Sequence, residues 1–221
     1  MIHPIRLYGD PVLRRTATEV RTFDAALAEL ATDMIETMHD ANGVGLAAPQ
    51  IGLSKRLFVA LELAPDPDGE NPTDTDPPAA AALEGPEPDG EPGGETEDGG
   101  RAVLATHVMV NPVLVERRGR QVGPDGCLSI PGPWVEDMVR DAEVRVRYQD
   151  VDGVPHERWA EGHFAHVVQH ELDHLDGVLY FDRLPSDARR AFLDAHRAEL
   201  ADLQRRAKAF LKERPTVPTV D

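Results

Sequence analysis

Apolar positions along the chain recur with two periods. From Phe23 to His39, residues Leu27, Leu30, Met34 and Met38 sit three or four apart, which predicts a helix with one apolar face. Gly162 to Leu175 carries Phe164, Val167, Val168, Leu172 and Leu175, with Gly177 just beyond as a helix-ending position. A third helix is predicted from Ser186, a favourable N-cap, to about Lys212, with Phe192, Leu193, Leu200, Leu203 and Phe210 as its stripe. The segment Glu143 to Tyr148 (EVRVRY) alternates with period two, as a half-buried strand does. Arg56 to Leu63 (RLFVALEL) and His107 to Val115 (HVMVNPVLV) are β-rich and mostly apolar, and a further strand is predicted near Glu157 to Ala160. Helices and strands do not alternate regularly, so an α+β fold fits better than a doubly wound sheet.

One stretch breaks both patterns. Pro65 to Gly100 holds twelve acids and no Lys or Arg, and Leu83 is its one aliphatic residue larger than Ala. Such a segment buries too little apolar area to offset chain entropy and is expected to be disordered. It lies between two predicted strands, so the 221 residues are expected to form a single domain with an insertion. Removing the twelve acids changes the formal charge from −17 to −5, so net charge argues neither for nor against nucleic acid. No run approaches the roughly 18 apolar residues of a membrane helix. The N-terminus MIHPIRLYGDPVLRRT has no apolar core for a signal peptide, so a soluble, cytoplasmic protein is expected. The single cysteine, Cys127, rules out an intrachain disulfide.

Candidate chemistry concentrates in His170-Glu171-Leu172-Asp173-His174. Residues four apart lie on one helix face, so both imidazoles can reach one metal ion. Glu171, rotated by about 100°, can touch a water beside that ion. The flanks are apolar, which places the helix in the interior, where unpaired His and Glu are costly. A catalytic site usually has three protein ligands and an open position. A metzincin-like continuation matches at Gly177 but has Tyr180 where a third His belongs. A thermolysin-like site would take Asp194 or Glu199, both in a segment rich in Arg and acids, where surface ion pairing is the better account. Cys127 lies in GPDGCLSIPG (123–132), whose three Gly and two Pro predict a tight turn presenting a thiolate ligand.

With GVGLAAPQ (Gly43 to Gln50), DGCLS (Asp125 to Ser129) and QHELDH (Gln169 to His174), the chain resembles the peptide deformylase family. The first and third blocks match the family motifs GxGLAAPQ and QHExDH, and the second is similar to EGCLS. The blocks come in family order, and the resemblance spans most of the chain outside the acidic insertion. It implies small β-sheets wrapped around the HExxH helix and a C-terminal helix. It implies a metal held by Cys127, His170 and His174, iron(II) in the native enzyme with zinc, nickel or cobalt as substitutes. The donor set alone would suggest zinc. It also implies hydrolysis of the formyl group of formyl-methionyl nascent peptides, releasing formate. Glu171 would be base and then acid, with the Gln50 amide and the Leu128 backbone N–H binding the oxyanion.

Peptide would pair along Gly43-Val44-Gly45, with His163, His166 and Val167 near the pocket for its first side chain. Family members are usually apolar at the two His positions, or at the later one sometimes Arg, so a weakened or altered preference for formyl-methionine is expected here. Asp125 replaces the family Glu, and Arg140 is its candidate partner, at a spacing that looks offset. The alternatives are an HExxH zinc endopeptidase, or a divergent homologue that binds peptides or ribosomes without turnover. Between Ser186 and Arg214 eight basic residues face five acids, so this end is a candidate ribosome contact. No membrane or DNA partner is expected.

Overall fold

The computed structural model describes residues 1–65, 97–98 and 101–213. Its strands are β1 (Gly45–Ala47), β2 (Leu57–Leu63), β3 (Glu97–Asp98), β4 (Arg101–Arg118), β5 (Gln121–Cys127), β6 (Ile130–Arg140), β7 (Glu143–Gln149) and β8 (Pro155–Glu161). Its helices are α1 (Ala25–Asp40), α2 (Gly162–Leu175), α3 (Ser186–Ala195) and α4 (Arg197–Glu213). One antiparallel sheet runs β1-β2-β4-β7-β8, with β3 pairing the start of β4, and β5-β6 form a separate hairpin. This is the α+β arrangement of small sheets around α2, closed by C-terminal helices.

The near-continuous apolar run of β2 has a direct cause. Leu57, Val59 and Leu61 point to one face and join Leu27, Met34 and Met38 of α1. Phe58 and Ala60 point to the other and join Phe164, Val168 and Leu172 of α2. A strand covered on both faces loses the alternation of a half-exposed one. In β7 one face is open, and Val144 and Val146 are buried while Arg145 and Arg147 are not. Burying each large apolar side chain in these clusters stabilises the fold by about 1.5–3 kcal/mol.

The strand expected at 107–115 is longer at both ends, because β4 pairs first with β2 and then with β7. The change of partner falls at Asn111, which adopts φ 51°. Its side chain bonds both backbone groups of Val20 and the Gln149 amide, which offsets the unusual conformation. The single helix expected from Ser186 to about Lys212 is two helices, broken at His196, whose ring packs on Phe192. The break allows Phe192 from α3 and Leu200 and Leu203 from α4 to enter one core with Ile130 and Met138 of the hairpin. The N-cap is Pro185, with Ser186 as the first helical residue, so that expectation is corrected by one position. The tight turn expected over 123–132 is also corrected. Most of it is strand, and the turn is confined to Leu128 and Ser129.

The expectation of disorder over Pro65 to Gly100 lies mostly outside the described residues; β2 and β4, which flank that segment, pair directly. Among the described residues no helix is long and apolar enough to cross a membrane.

Candidate metal centre

Eleven of the fourteen residues of α2 are buried, so its polar groups must find partners inside the protein. The two histidines find theirs on β5, whereas Asp173 is held by Arg140 and Arg183 and Gln169 by the backbone of Asp141. Residues two apart on a strand share a face and rise about 6.6 Å, close to the roughly 6 Å between residues four apart on a helix. Asp125 and Cys127 therefore stand opposite His170 and His174. His170 Nδ1 lies 2.7 Å from Asp125 Oδ1, and Cys127 Sγ lies 3.1 Å from His174 Nε2. Register shifts on either side of Asp125 interrupt the pairing of β5 with β6.

The thiol and the two imidazoles bring their ligand atoms within 4.8 Å of one another. The Asp125 carboxylate engages Nδ1 of His170 and leaves Nε2 for an ion, the usual way a carboxylate orients a metal-binding histidine. A soft thiolate with two imidazoles is a donor set for zinc or iron(II). Glu171 is buried beside them, and its Oε2 has no hydrogen-bond partner among the described residues. These residues fit a single divalent ion.

Gln50, 1% exposed, is fixed by its carbonyl. Its Oε1 accepts from the Ala47 N–H at 2.7 Å, which turns Nε2 toward Cys127 Sγ at 3.6 Å. Leu128 follows Cys127 in the hairpin turn. Strand β1 is the end strand of its sheet among the described residues, and its three residues are buried. Glycine is required there for space. A Cβ on Gly45 would lie 2.9 Å from Glu171 Cδ and closer still to Oε1, and one on Gly43 would lie 2.7 Å from Leu128 Cδ1. Gly45→Ala is therefore expected to displace the Glu171 carboxylate and lower kcat at least about 100-fold, the scale of a misplaced catalytic group. A variant with kcat near that of the parent would show that the site relaxes around the methyl group.

Charge around α2 is strongly organised. Burial raises the Asp125 carboxyl, but the charges of His170 and Arg140 outweigh it and hold it well below the ordinary carboxylate range. Arg140 Nε and Nη2 donate to Asp125 Oδ2 at 3.0 and 2.7 Å, and Nη1 donates to Asp173 Oδ2 at 3.0 Å. The spacing looked offset because Arg140 pairs in register with Gln121 and reaches Asp125 diagonally. Arg183 grips the other side of Asp173. Burial lowers the His170 imidazole, but the Asp125 charge overcomes this and raises it well above its ordinary value. Burial lowers His174, and the neighbouring His170 charge adds to the effect. Burial also pushes the Glu171 carboxyl up to about 7.

Asp173 and Arg183 were given no role from the sequence. An acid inside an apolar helix was the available signal, since it demands a cationic partner. Tyr180, the failed metzincin position, donates its hydroxyl to the Pro133 carbonyl and stacks on His170. Asp194 pairs with Arg197 on the surface, and Glu199 lies 3.9 Å from His196.

His166 places Nε2 3.2 Å from Asp125 Oδ2 without a hydrogen bond among the described residues, and Val167, on the same helix, is buried in the core. His163 keeps Nδ1 buried with no hydrogen-bond partner among the described residues. Burial, with Arg101 and His166 nearby, lowers His163 to about 4. The unfolded chain therefore binds a proton between about pH 6.5 and 4 that the folded state refuses, and stability falls as pH falls through that window. From pH 6.5 to 5 the loss is about 1.5 kcal/mol. His163→Leu is expected to remove that part of the slope in urea unfolding, and an unchanged slope would contradict the assignment.

Known proteins agree with this geometry. The family model described as polypeptide deformylase matches residues 2–190. The peptide deformylase of Thermus thermophilus is 47% identical over 213 residues, covering 96% of this chain and 98% of that one. The crystal structure of a Thermus thermophilus peptide deformylase superposes with a TM-score of 0.73 at 44% identity, covering 93% of this chain and 99% of that one. A Met-Ala-Ser-bound class I type b peptide deformylase from Acinetobacter baumannii aligns with a TM-score of 0.65 at 29% identity, covering 83% and 99%. With the match over most of its length and the Cys-His-His cluster in place, this chain belongs to the polypeptide deformylase family.

Proposed function

We propose that Cys127, His170 and His174 hold one divalent ion, and that Glu171 handles protons as the formyl group leaves a formyl-methionyl peptide. The observation that carries this is the buried Glu171 carboxylate, without a hydrogen-bond partner on Oε2 among the described residues, beside three converging ligand atoms. When bound, the ion supplies a Lewis acid and an activated water. Glu171 takes a proton from the attacking water and returns it to the amide nitrogen. The C–N bond breaks, and formate and a free amine are released. Burial raises the Glu171 carboxyl, and a bound cation would lower it, so the two effects oppose each other at this proton-transfer group. The Gln50 Nε2 and the Leu128 N–H donate to the oxyanion, and Gly43, Val44 and Gly45 pair with the peptide backbone.

Formyl-methionine is the proposed first residue. The weakened preference expected from His163 and His166 gains no support, since His166 turns Nε2 to Asp125. Turnover of formyl-Met-Ala is expected to exceed that of analogues with polar first residues. The bound Met-Ala-Ser of the Acinetobacter baumannii relative is consistent with such a substrate. We assign iron(II) as the native ion, with zinc, nickel or cobalt as substitutes, and the cytoplasm as the place of action. Exposed Arg205, Arg206, Lys208 and Lys212 on α4 support a ribosome contact, which co-sedimentation unaffected by truncating α4 would refute.

Chelation of anaerobically purified protein is expected to abolish formyl-Met-Ala hydrolysis, and iron(II), nickel or cobalt to restore it. Iron is expected as the bound metal; zinc alone would overturn the iron assignment. Casein cleavage without deformylation would overturn the function.

A further inference from the structure

On the face of α2 away from the metal ligands, a cavity of about 550 Å³ opens between the helix, the far end of β4 and the end of β6. Arg56, Arg117, Arg120, Arg140 and Arg183 line it, against the carboxylates of Asp141, Asp173 and Asp176. Arg140 and Arg183 share Asp173, Arg117 donates to Asp141 at 2.7 Å, and Arg56 to Asp176 at 2.7 Å. Arg120 is exposed and has no ion-pair partner among the described residues. Each guanidinium carries five N–H donors in a fixed plane. Arg140 is also held by Asp125 and Arg56 by the Pro112 carbonyl, but Arg120 has no acceptor among the described residues and exposed Arg117 and half-exposed Arg183 keep N–H groups beyond those their carboxylates take. With Asp125 counted, five guanidiniums face four carboxylates, a net positive charge of one, on a body whose formal charge outside Pro65 to Gly100 is −5. Val113 and Val139, 52% and 44% exposed, add an apolar side to the same cavity.

We propose that this cavity binds a phosphate ester carrying a flat or apolar group, with phosphate on the arginines and that group against the valines. A nucleotide is the simplest ligand of this class. It has two sources, a free mononucleotide or one nucleotide of an RNA strand, and both present the same chemistry. A carboxylate ligand would offer one anionic group of lower charge to the same forks.

The test is calorimetric titration of the metal-loaded protein with AMP, adenosine and a short single-stranded RNA at low ionic strength. AMP is expected to bind saturably and adenosine to fail. The double variant Arg117→Glu, Arg120→Glu is expected to weaken AMP binding by about tenfold or more, equivalent to about 1.4 kcal/mol. Arg120→Ala, at an exposed position, is expected to weaken it by a smaller factor. The control Arg205→Glu, Arg206→Glu on α4 makes the same charge change elsewhere and is expected to leave binding unaltered. RNA that displaces AMP and binds more tightly identifies RNA as the source; weaker RNA binding identifies the free nucleotide. Absence of saturable AMP binding overturns the site, as does equal weakening by both double variants, which would mean general charge attraction only.

Discussion

Glu171→Gln is expected to lower kcat for formyl-Met-Ala by about 100- to 10,000-fold, the usual range for a lost general acid–base group. Bound metal should remain unchanged. Glutamine keeps the volume of the side chain, which is 3% exposed, so packing is preserved. The amide cannot take a proton from water, and it has none to give to the departing nitrogen at neutral pH. Folding should not suffer, because the carboxyl is raised to about 7 and a neutral amide resembles its protonated form. The decisive measurement pairs kcat with metal stoichiometry on the same sample. A variant that retains its metal and turns over within about tenfold of the parent would remove Glu171 from the chemistry.

Arg140→Met should be the most damaging substitution away from the ligands. The side chain is 6% exposed and holds both Asp125, which is 3% exposed, and Asp173, which is 5% exposed. Arg183 still grips Asp173, but Asp125 loses both of its guanidinium bonds. Removing one partner of a buried ion pair costs about 3–5 kcal/mol, because the other charge stays buried. In a protein of this size that lowers Tm by roughly 10 °C or more. Asp125 also orients His170, so metal affinity should fall by about 10- to 100-fold. Arg183→Met is the contrast, since that side chain is 49% exposed and its loss should cost about 1 kcal/mol or less. Equal destabilisation by the two variants would refute the central place given to Arg140.

Much of this protein was legible in its sequence. Helix α2 was predicted with both ends correct, because its apolar residues and the glycine after it are local signals. Strands β2, β7 and β8 and helix α1 were also found, within one or two residues at most ends. The ligand set was legible because His170 and His174 share a helix face by spacing alone, and Cys127 stood in a motif with a family resemblance. The β5–β6 hairpin was not legible. Its Gly and Pro residues break the alternation that marks a strand, and the pairing across its bulges is non-local. The kink at His196 likewise depends on where the core lies, since nothing in the local pattern ends a helix there.

The one-dimensional pattern therefore picked out the candidate site residues and the segments whose periodicity is local, α1, α2, β2, β7 and β8. Only the folded arrangement decided how the buried charges are shared among Asp125, Arg140, Asp173 and Arg183, residues up to 58 positions apart in sequence. The physical reason is one of range. Backbone periodicity acts over a few residues, whereas neutralising a buried charge requires whichever opposite charge the packing brings within about 3 Å.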